Sequence, residues 1–420
     1  MANAPQAAAT SGVSTKPDQV LFTLSLGLFF LWGFATVLID ILVPKLKGLF
    51  TLSYAEAMLT QFAFFIGYFV FSLPAGAIVS RLGYMRGIVT GLVVMAGGCL
   101  MFAPAARMGL YEGFLLALFI MAGGITILQV AANAVISIVG PAATSSARLT
   151  LAQAFNSFGT FLGPFVGARL ILGGQVTPPA DLASLSPEQL IALRIAEAAS
   201  VQTPFLGIAA LLAVLMIVFW VKRDLLPRPT FATEKGLGLG LLKQPRLLFG
   251  VIAIFAYVGA EVSIGSLLVN YLTPRLAVPE VRAGELVSFY WGGAMIGRFI
   301  GAAVLRTVNP GHVLMACALG AIALVAASSM TTGVVSAVAI LAVGLVNSVM
   351  FPTIFSQSLI GIDGAAPKAA GLLCMGIVGG AILPVLTGLT ADYAGLSIAL
   401  IVPILGYLWI VFFGRFTASI

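Results

Sequence analysis

From Val313 to Ile362 the chain carries no charged side chain. An uncharged run this long has no place on a water-facing surface, and it is not alone. Uncharged stretches also cover Val20–Ile39, Ala57–Ser80, Gly87–Ala106, Gly113–Ala147, Leu149–Ala168, Ala198–Val221, Ala369–Ala391 and Tyr393–Gly414. Leu247–Thr273 is interrupted only by Glu261, and Leu286–Leu305 only by Arg298. A helix needs about 20 mostly apolar residues to cross the hydrocarbon of a bilayer. Gly140-Pro141 should end a helix inside the fourth stretch. The Ser-Ser-Met-Thr-Thr-Gly segment at 328–333 should split Val313–Ile362 in two. The expectation is an all-α membrane protein with twelve transmembrane helices.

Composition agrees. Only 8% of the 420 residues are charged, against about 25% in soluble domains. This excludes an ordinary soluble enzyme, a disordered chain and a nucleic-acid-binding domain. Cys99, Cys317 and Cys374 sit in apolar runs without metal-ligand spacing and read as packing residues. Residues 1–19 are small and polar, without the layout of a cleaved signal, and read as a soluble tail.

Twelve spans place both termini on one side. With the termini cytoplasmic, thirteen Lys and Arg residues face inward and seven outward, with Arg298 left inside a span. The positive-inside bias favours this orientation. It also accounts for the net charge of +7 without a polyanionic partner. The inner-facing basic residues would meet anionic lipid.

Two sequence features recur at nearly one offset. Gly76-Ala-Ile-Val-Ser-Arg81 is matched by Gly301-Ala-Ala-Val-Leu-Arg306, and Gly159 with Pro164 by Gly379 with Pro384. The chain therefore divides into a tail (1–19), a six-helix half (20–222), a basic linker (223–244) and a second six-helix half (245–420). Two such halves around a midplane site are the architecture of major facilitator secondary transporters. Ser186–Glu197, in the longest outer connection, has helical spacing and is expected at the membrane interface.

No nucleophile–base set, metal cluster or cofactor motif is present, so neither an enzyme nor a cofactor is expected. Gly236-Leu-Gly-Leu-Gly240 lacks the strand context of a phosphate loop. His312 reads as a solvated loop residue. Ionisable groups inside a membrane are costly and usually functional. Asp40 closes the first stretch, Glu261 sits mid-span, and Arg298 reads as structural. A carboxyl shielded from water disfavours its charged form. Asp40, with Glu261, is thus the candidate proton carrier. Amides in hydrocarbon need partners. Gln129 and Asn133 share a helix face, as do Gln153 and Asn156, and Asn270, Asn347 and Gln357 follow. A carboxamide offers a donor and an acceptor together, which suits the hydroxyls of a sugar. Aromatic rings such as Trp32, Phe155, Tyr257 and Trp291 suit the apolar face of a pyranose. The candidate cargo contacts are Gln129, Asn133, Gln153, Asn156, Glu261, Asn270, Asn347, Tyr257 and Trp291.

The segments FFLWGFATVLIDILVPKLK (29–47), ITILQVAANAV (125–135), RLTLAQAFNSFGTFLGP (148–164), YVGAEVSIGSLLVNYL (257–272), YWGGAMIGRFIGA (290–302) and GLVNSVMFPTIFS (344–356) together resemble the fucose/galactose/glucose:proton symporter family of the major facilitator superfamily. The resemblance implies a monomeric bacterial inner-membrane importer of a hexose, driven by protons and working by alternating access. Sodium coupling, uncoupled transport and proton-driven efflux of organic molecules are the alternatives. In the fucose branch the first helix carries an ANNLND-like run whose Asp couples protons; here the run is Ala35–Asp40, with the Asp and without the Asn residues. The branch's Glu on the fourth helix is Gln129 here, as in the glucose/galactose-type members. The Pro that commonly follows AAN in the family is Ala134, and the superfamily's usual Asp before the Arg of the second loop is Ser80.

Overall fold

The structure, a computed structural model, describes residues 16–50, 54–167, 186–226, 238–362 and 364–419. Its first helices are α1 (Lys16–Phe50), α2 (Tyr54–Leu82), α3 (Tyr84–Met108), α4 (Tyr111–Ile138), α5 (Ser145–Gly167) and α6 (Pro187–Val221). After the linker come α7 (Pro245–Leu276), α8 (Glu280–Val304), α9 (Pro310–Met330), α10 (Gly333–Asn347) and α11 (Met350–Ser358). The last are α12 (Ala366–Met375), α13 (Gly379–Ala394), α14 (Leu396–Ala399) and α15 (Ile401–Ala418). No strand occurs among the described residues. Helices α10 with α11, α12 with α13, and α14 with α15 each form one broken span, giving twelve.

The breaks follow local chemistry. Gly140 takes φ +89° ahead of Pro141, which separates α4 from α5. Gly109 closes α3 in the left-handed conformation, where only glycine carries no Cβ penalty. Asn309 caps α9, with its side chain accepting from Gly311 N and Pro310 in the first turn. Ser186 and Gln189 form a reciprocal capping box ahead of α6. The helix opened by that box runs without interruption into the sixth span. Ser186–Glu197 is therefore an extension of that span rather than a separate interfacial helix. The first span also exceeds expectation. α1 continues to Phe50, so Asp40 lies ten positions inside its end.

Ten of these helical stretches are long and apolar enough by composition to cross a membrane. The other two spans, α5 and α8, carry Gln153, Asn156 and Arg298. Their polarity belongs to the protein interior rather than to water.

The packing repeats. α1 packs on α5, α2 on α4, α3 on α4 and α3 on α6. In the second half α7 packs on α13, α8 on α10, α9 on α10 and α9 on α15. A Cβ on Gly159 would lie 2.1 Å from the carbonyl oxygen of Phe30, and one on Gly379 would lie 2.0 Å from that of Phe255. Gly159 and Gly379 are one of the pairs matched in sequence. Both are places where helix backbones touch, as small residues allow within membranes. The two halves meet along α2 with α12 and α5 with α8. At the former, a Cβ on Gly371 would sit 2.6 Å from the carbonyl oxygen of Ser72. Cys99 and Cys374 are free and buried, and Cys317 is half-buried, as packing residues are.

Candidate functional site

A cavity of about 220 Å³ lies between the halves, near the middle of the spans. The first half contributes Trp32 and Thr36 of α1, Phe64 and Tyr68 of α2, Gln129 of α4, and Gln153 and Asn156 of α5. The second half contributes Tyr257, Val258 and Glu261 of α7, Arg298 of α8, Phe351 of α11 and Ile377 at the break between α12 and α13.

The two walls differ in chemistry. The first is an uncharged polar chain. Gln153 Nε2 donates to Asn133 Oδ1 at 3.4 Å, Asn133 Nδ2 to Gln129 Oε1 at 3.1 Å, and Gln129 Nε2 to Tyr68 Oη at 3.1 Å. Helical spacing makes this possible, since positions four apart share a face. Asn156 Nδ2 donates to the Phe29 carbonyl at 3.0 Å and ties α5 to α1.

Among the described residues, the carboxyl and the guanidinium at the cavity, Glu261 and Arg298, both stand on the second wall. Tyr257 Oη donates to Glu261 Oε1 at 2.7 Å, one helical turn away. Arg298 donates through Nε to the Ser348 carbonyl at 3.3 Å. That carbonyl is released by the interruption between α10 and α11. The same guanidinium donates to Ser157 Oγ on α5, across the boundary between the halves. Glu261 and Arg298 line one cavity but make no ion pair within 4.0 Å; the ion pairs among the described residues are Arg223–Asp224 and Arg282–Glu285. Behind Glu261, Asn347 Nδ2 donates to Tyr290 Oη at 3.0 Å, and Tyr290 Oη donates to the Glu261 carbonyl at 3.4 Å. Aromatic faces flank both walls, with Trp32, Phe64 and Tyr68 on one side and Tyr257 and Phe351 on the other.

The structure thus gathers Gln129, Gln153, Asn156, Tyr257 and Glu261 at the cavity. It places Asn133 and Asn347 behind them, fully buried, Asn133 bonded to the lining residues Gln129 and Gln153 and Asn347 to Tyr290, which in turn bonds the Glu261 carbonyl. Asn270 is exposed and stands outside the lining. Trp291 is 46% exposed and packs edge-on against Tyr290 rather than lining the cavity. Arg298, read in sequence as structural, is both structural and cavity-lining. The side chain of Asp40 lies outside the described residues. Phe64, Tyr68, Thr36 and Phe351 had no marker in the sequence, because an aromatic or a lone threonine in an apolar run looks the same whether it faces lipid or a cavity.

The cavity is closed off on the side of the bundle that holds the linker. There Ser146 of α5 shares a hydrogen bond with Ser356 of α11 at 2.7 Å. Gln357 Nε2 donates to Ser146 Oγ at 3.3 Å. Arg246 of α7 donates to the Gln357 carbonyl at 2.8 Å and to its Oε1 at 3.3 Å. In this clasp the bonds of Ser146 to Ser356 and Gln357 join the two halves, and Arg246 braces Gln357 from within the second.

Twelve spans in two repeated halves, with a polar chamber between them and a closure on one side, define a membrane transporter rather than an enzyme. The chain belongs to the Major Facilitator Superfamily, which it matches over residues 24–373. It is 45% identical over 391 residues to a protein of Brucella abortus biovar 1 (strain 9-941) named glucose/galactose transporter, covering 92% of this chain and 91% of that one. It is 36% identical over 409 residues to the L-fucose-proton symporter of Escherichia coli (strain K12), covering 95% and 93%. The crystal structure of the major facilitator transporter FucP in the outward conformation superposes with a TM-score of 0.88 at 33% identity, covering 96% of this chain and 99% of that one.

Proposed function

We propose that this chain imports a hexose of the glucose/galactose type together with protons, by alternating access of one site between its halves. The observation that carries the reading is the chamber itself. An amide wall on one half faces a carboxyl and a guanidinium on the other, with aromatic faces alongside. Carboxamides and hydroxyls match a neutral polyol, and the names of the similar proteins point to the same cargo. The contacts assigned to the sugar are Gln129, Gln153, Asn156, Tyr257 and Glu261, with Asn133 and Asn347 behind them. Asp40 is the proton-coupling acid and Glu261 the second titratable group. Gln129 cannot titrate, so coupling cannot run through that position.

In this reading the protein sits as a monomer in a bacterial inner membrane, with its tail, linker and both termini cytoplasmic. The division at 1–19, 20–222, 223–244 and 245–420 then separates tail, first half, linker and second half. The clasp at Ser146, Ser356, Gln357 and Arg246 is the inner gate, and the structure is the outward-facing state. Halves rocking about the central site move it between the two sides. Uphill import requires sugar affinity to depend on protonation of the acid.

Counterflow in proteoliposomes with a panel of hexoses at two pH values tests the proposal. Exchange of glucose or galactose together with uphill uptake under an inward proton gradient is the expected result. Exchange without proton-driven accumulation, given Gln129, points to a sodium-coupled or uncoupled carrier. Thermal stabilisation by lipophilic cations and by no sugar overturns import in favour of efflux.

A further inference from the structure

We infer that Asn133, which does not reach the cavity, fixes the hydrogen-bond polarity of the chamber wall, so that Tyr68 meets the cargo as a donor and Gln153 meets it as an acceptor. The identity of the cargo rests on the hexose reading above; the polarity rests on the order of donors and acceptors along Gln153, Asn133, Gln129 and Tyr68. Asn133 has no exposed surface. Its amide both gives and takes. Nδ2 donates to Gln129 Oε1 at 3.1 Å, while Oδ1 accepts from Gln153 Nε2 at 3.4 Å. A carboxamide has one acceptor end and one donor end. With its oxygen held by Asn133, Gln129 has only its NH₂ to offer Tyr68, and it does so at 3.1 Å. The Tyr68 oxygen therefore accepts, and its proton goes to no other described residue. Tyr68 lies on the cavity, so that proton is available to a ligand. At the other end Gln153 Nε2 gives one of its two protons to Asn133, and its Oε1 takes no donor among the described residues. Gln153 also lies on the cavity.

The wall thus presents an O–H at α2 and a C=O at α5, held in that sense by a residue behind them. A hydroxyl-rich neutral molecule satisfies both at once, accepting from Tyr68 through one oxygen and donating a hydroxyl proton to Gln153. An ionised carboxylate in place of the Gln129 amide would accept from Asn133 and from Tyr68 alike, and would take away the phenol proton that the ligand needs. The amide at 129 therefore decides what Tyr68 can do.

Asn133 is a positioning residue in this scheme, and the test reads polarity directly. Ultraviolet resonance Raman difference spectra between the unaltered protein and Tyr68→Phe, without sugar, isolate the ring doublet of Tyr68. Its intensity ratio is high for a phenol that accepts and low for one that donates. An accepting signature is expected, moving toward the donating one in Asn133→Leu. Sugar binding is then followed by intrinsic tryptophan fluorescence with glucose and galactose. Tyr68→Phe should weaken binding about tenfold, the effect of one hydrogen bond. Asn133→Leu should weaken binding severalfold, and by a smaller factor in the Tyr68→Phe background, where only its hold on Gln153 remains. A donating signature in the unaltered protein overturns the inference, and so do losses that multiply in the double variant. If Asn133→Leu does not fold, the spectrum of the unaltered protein still decides. An accepting signature with no hexose binding supports the polarity and refutes the hexose reading instead.

Discussion

If the clasp between Ser146, Ser356, Gln357 and Arg246 is the gate that holds one side of the chamber shut, weakening it must shift the balance between the two faces of the transporter. Gln357→Ala is the cleanest perturbation, because its side chain makes two of the four bonds and its backbone carbonyl keeps a third, from Arg246. The bonds lost are a neutral one to Ser146 Oγ and a charge-assisted one from Arg246, each at 3.3 Å. A neutral hydrogen bond contributes about 0.5–1.5 kcal/mol net and one to a charged group about 1.5–3. Arg246 and Gln357 both belong to the second half, so only the Ser146 bond breaks when the halves part there; it is long, so the loss is about 0.5 kcal/mol. That corresponds to roughly a two- to threefold change in the ratio of closed to open gates. Spin labels at Arg81 and Thr307, exposed at the linker ends of α2 and α8 on opposite halves, report the gate as a distance distribution by double electron–electron resonance in nanodiscs. The ratio of long-distance to short-distance populations should rise by about the same factor. An unchanged distribution in a folded Gln357→Ala protein would show that these bonds do not hold the gate, and the assignment of this side as the closed one would lose its physical basis.

Asp40→Asn should abolish sugar accumulation driven by a proton gradient while leaving sugar–sugar exchange measurable in proteoliposomes; undiminished uphill uptake removes Asp40 from coupling. Tyr257→Phe deletes the 2.7 Å bond to Glu261 and should weaken binding by about three- to tenfold, read by tryptophan fluorescence, whereas Trp291→Phe, outside the cavity, should leave affinity unchanged. Gly159→Ala and Gly379→Ala force a Cβ to about 2 Å from the carbonyls of Phe30 and Phe255, an overpacking that costs about 1–3 kcal/mol. Both should lower the midpoint of thermal unfolding. Gly27→Ala and Gly97→Ala, with nothing within 4 Å of the added carbon, should not lower it.

The spans were readable from sequence because hydrocarbon permits so few charges, and the repeat because a helix–helix backbone contact admits only glycine at the crossing. Gly159 and Gly379 are the same requirement met twice. The amides were readable for a related reason. Each of Gln129, Asn133, Gln153 and Asn156 must find partners away from lipid, and mutual bonding is how three of them do so. What escaped was direction around the helix axis. Asn270 and Trp291 have the right chemistry and sit on the right helices, yet they are exposed, because in a helix polar on few sides no periodic pattern says which face meets the other half. Phe64 and Tyr68 line the chamber while Phe62 and Phe69, on the same helix, are exposed. In water the two sets would differ in character, since one face would have to be polar. In a bilayer both faces are apolar, and only the packing of α2 against α4 and α12 separates them. Arg298 shows the remaining limit. Its charge marked it, but its bonds run to a carbonyl freed by the interruption after α10 and to a serine on the opposite half. Neither partner is recognisable before the helices are assembled. The inference that Asn133 sets the sense of Tyr68 falls in the same category, because it depends on which end of each amide its neighbour occupies.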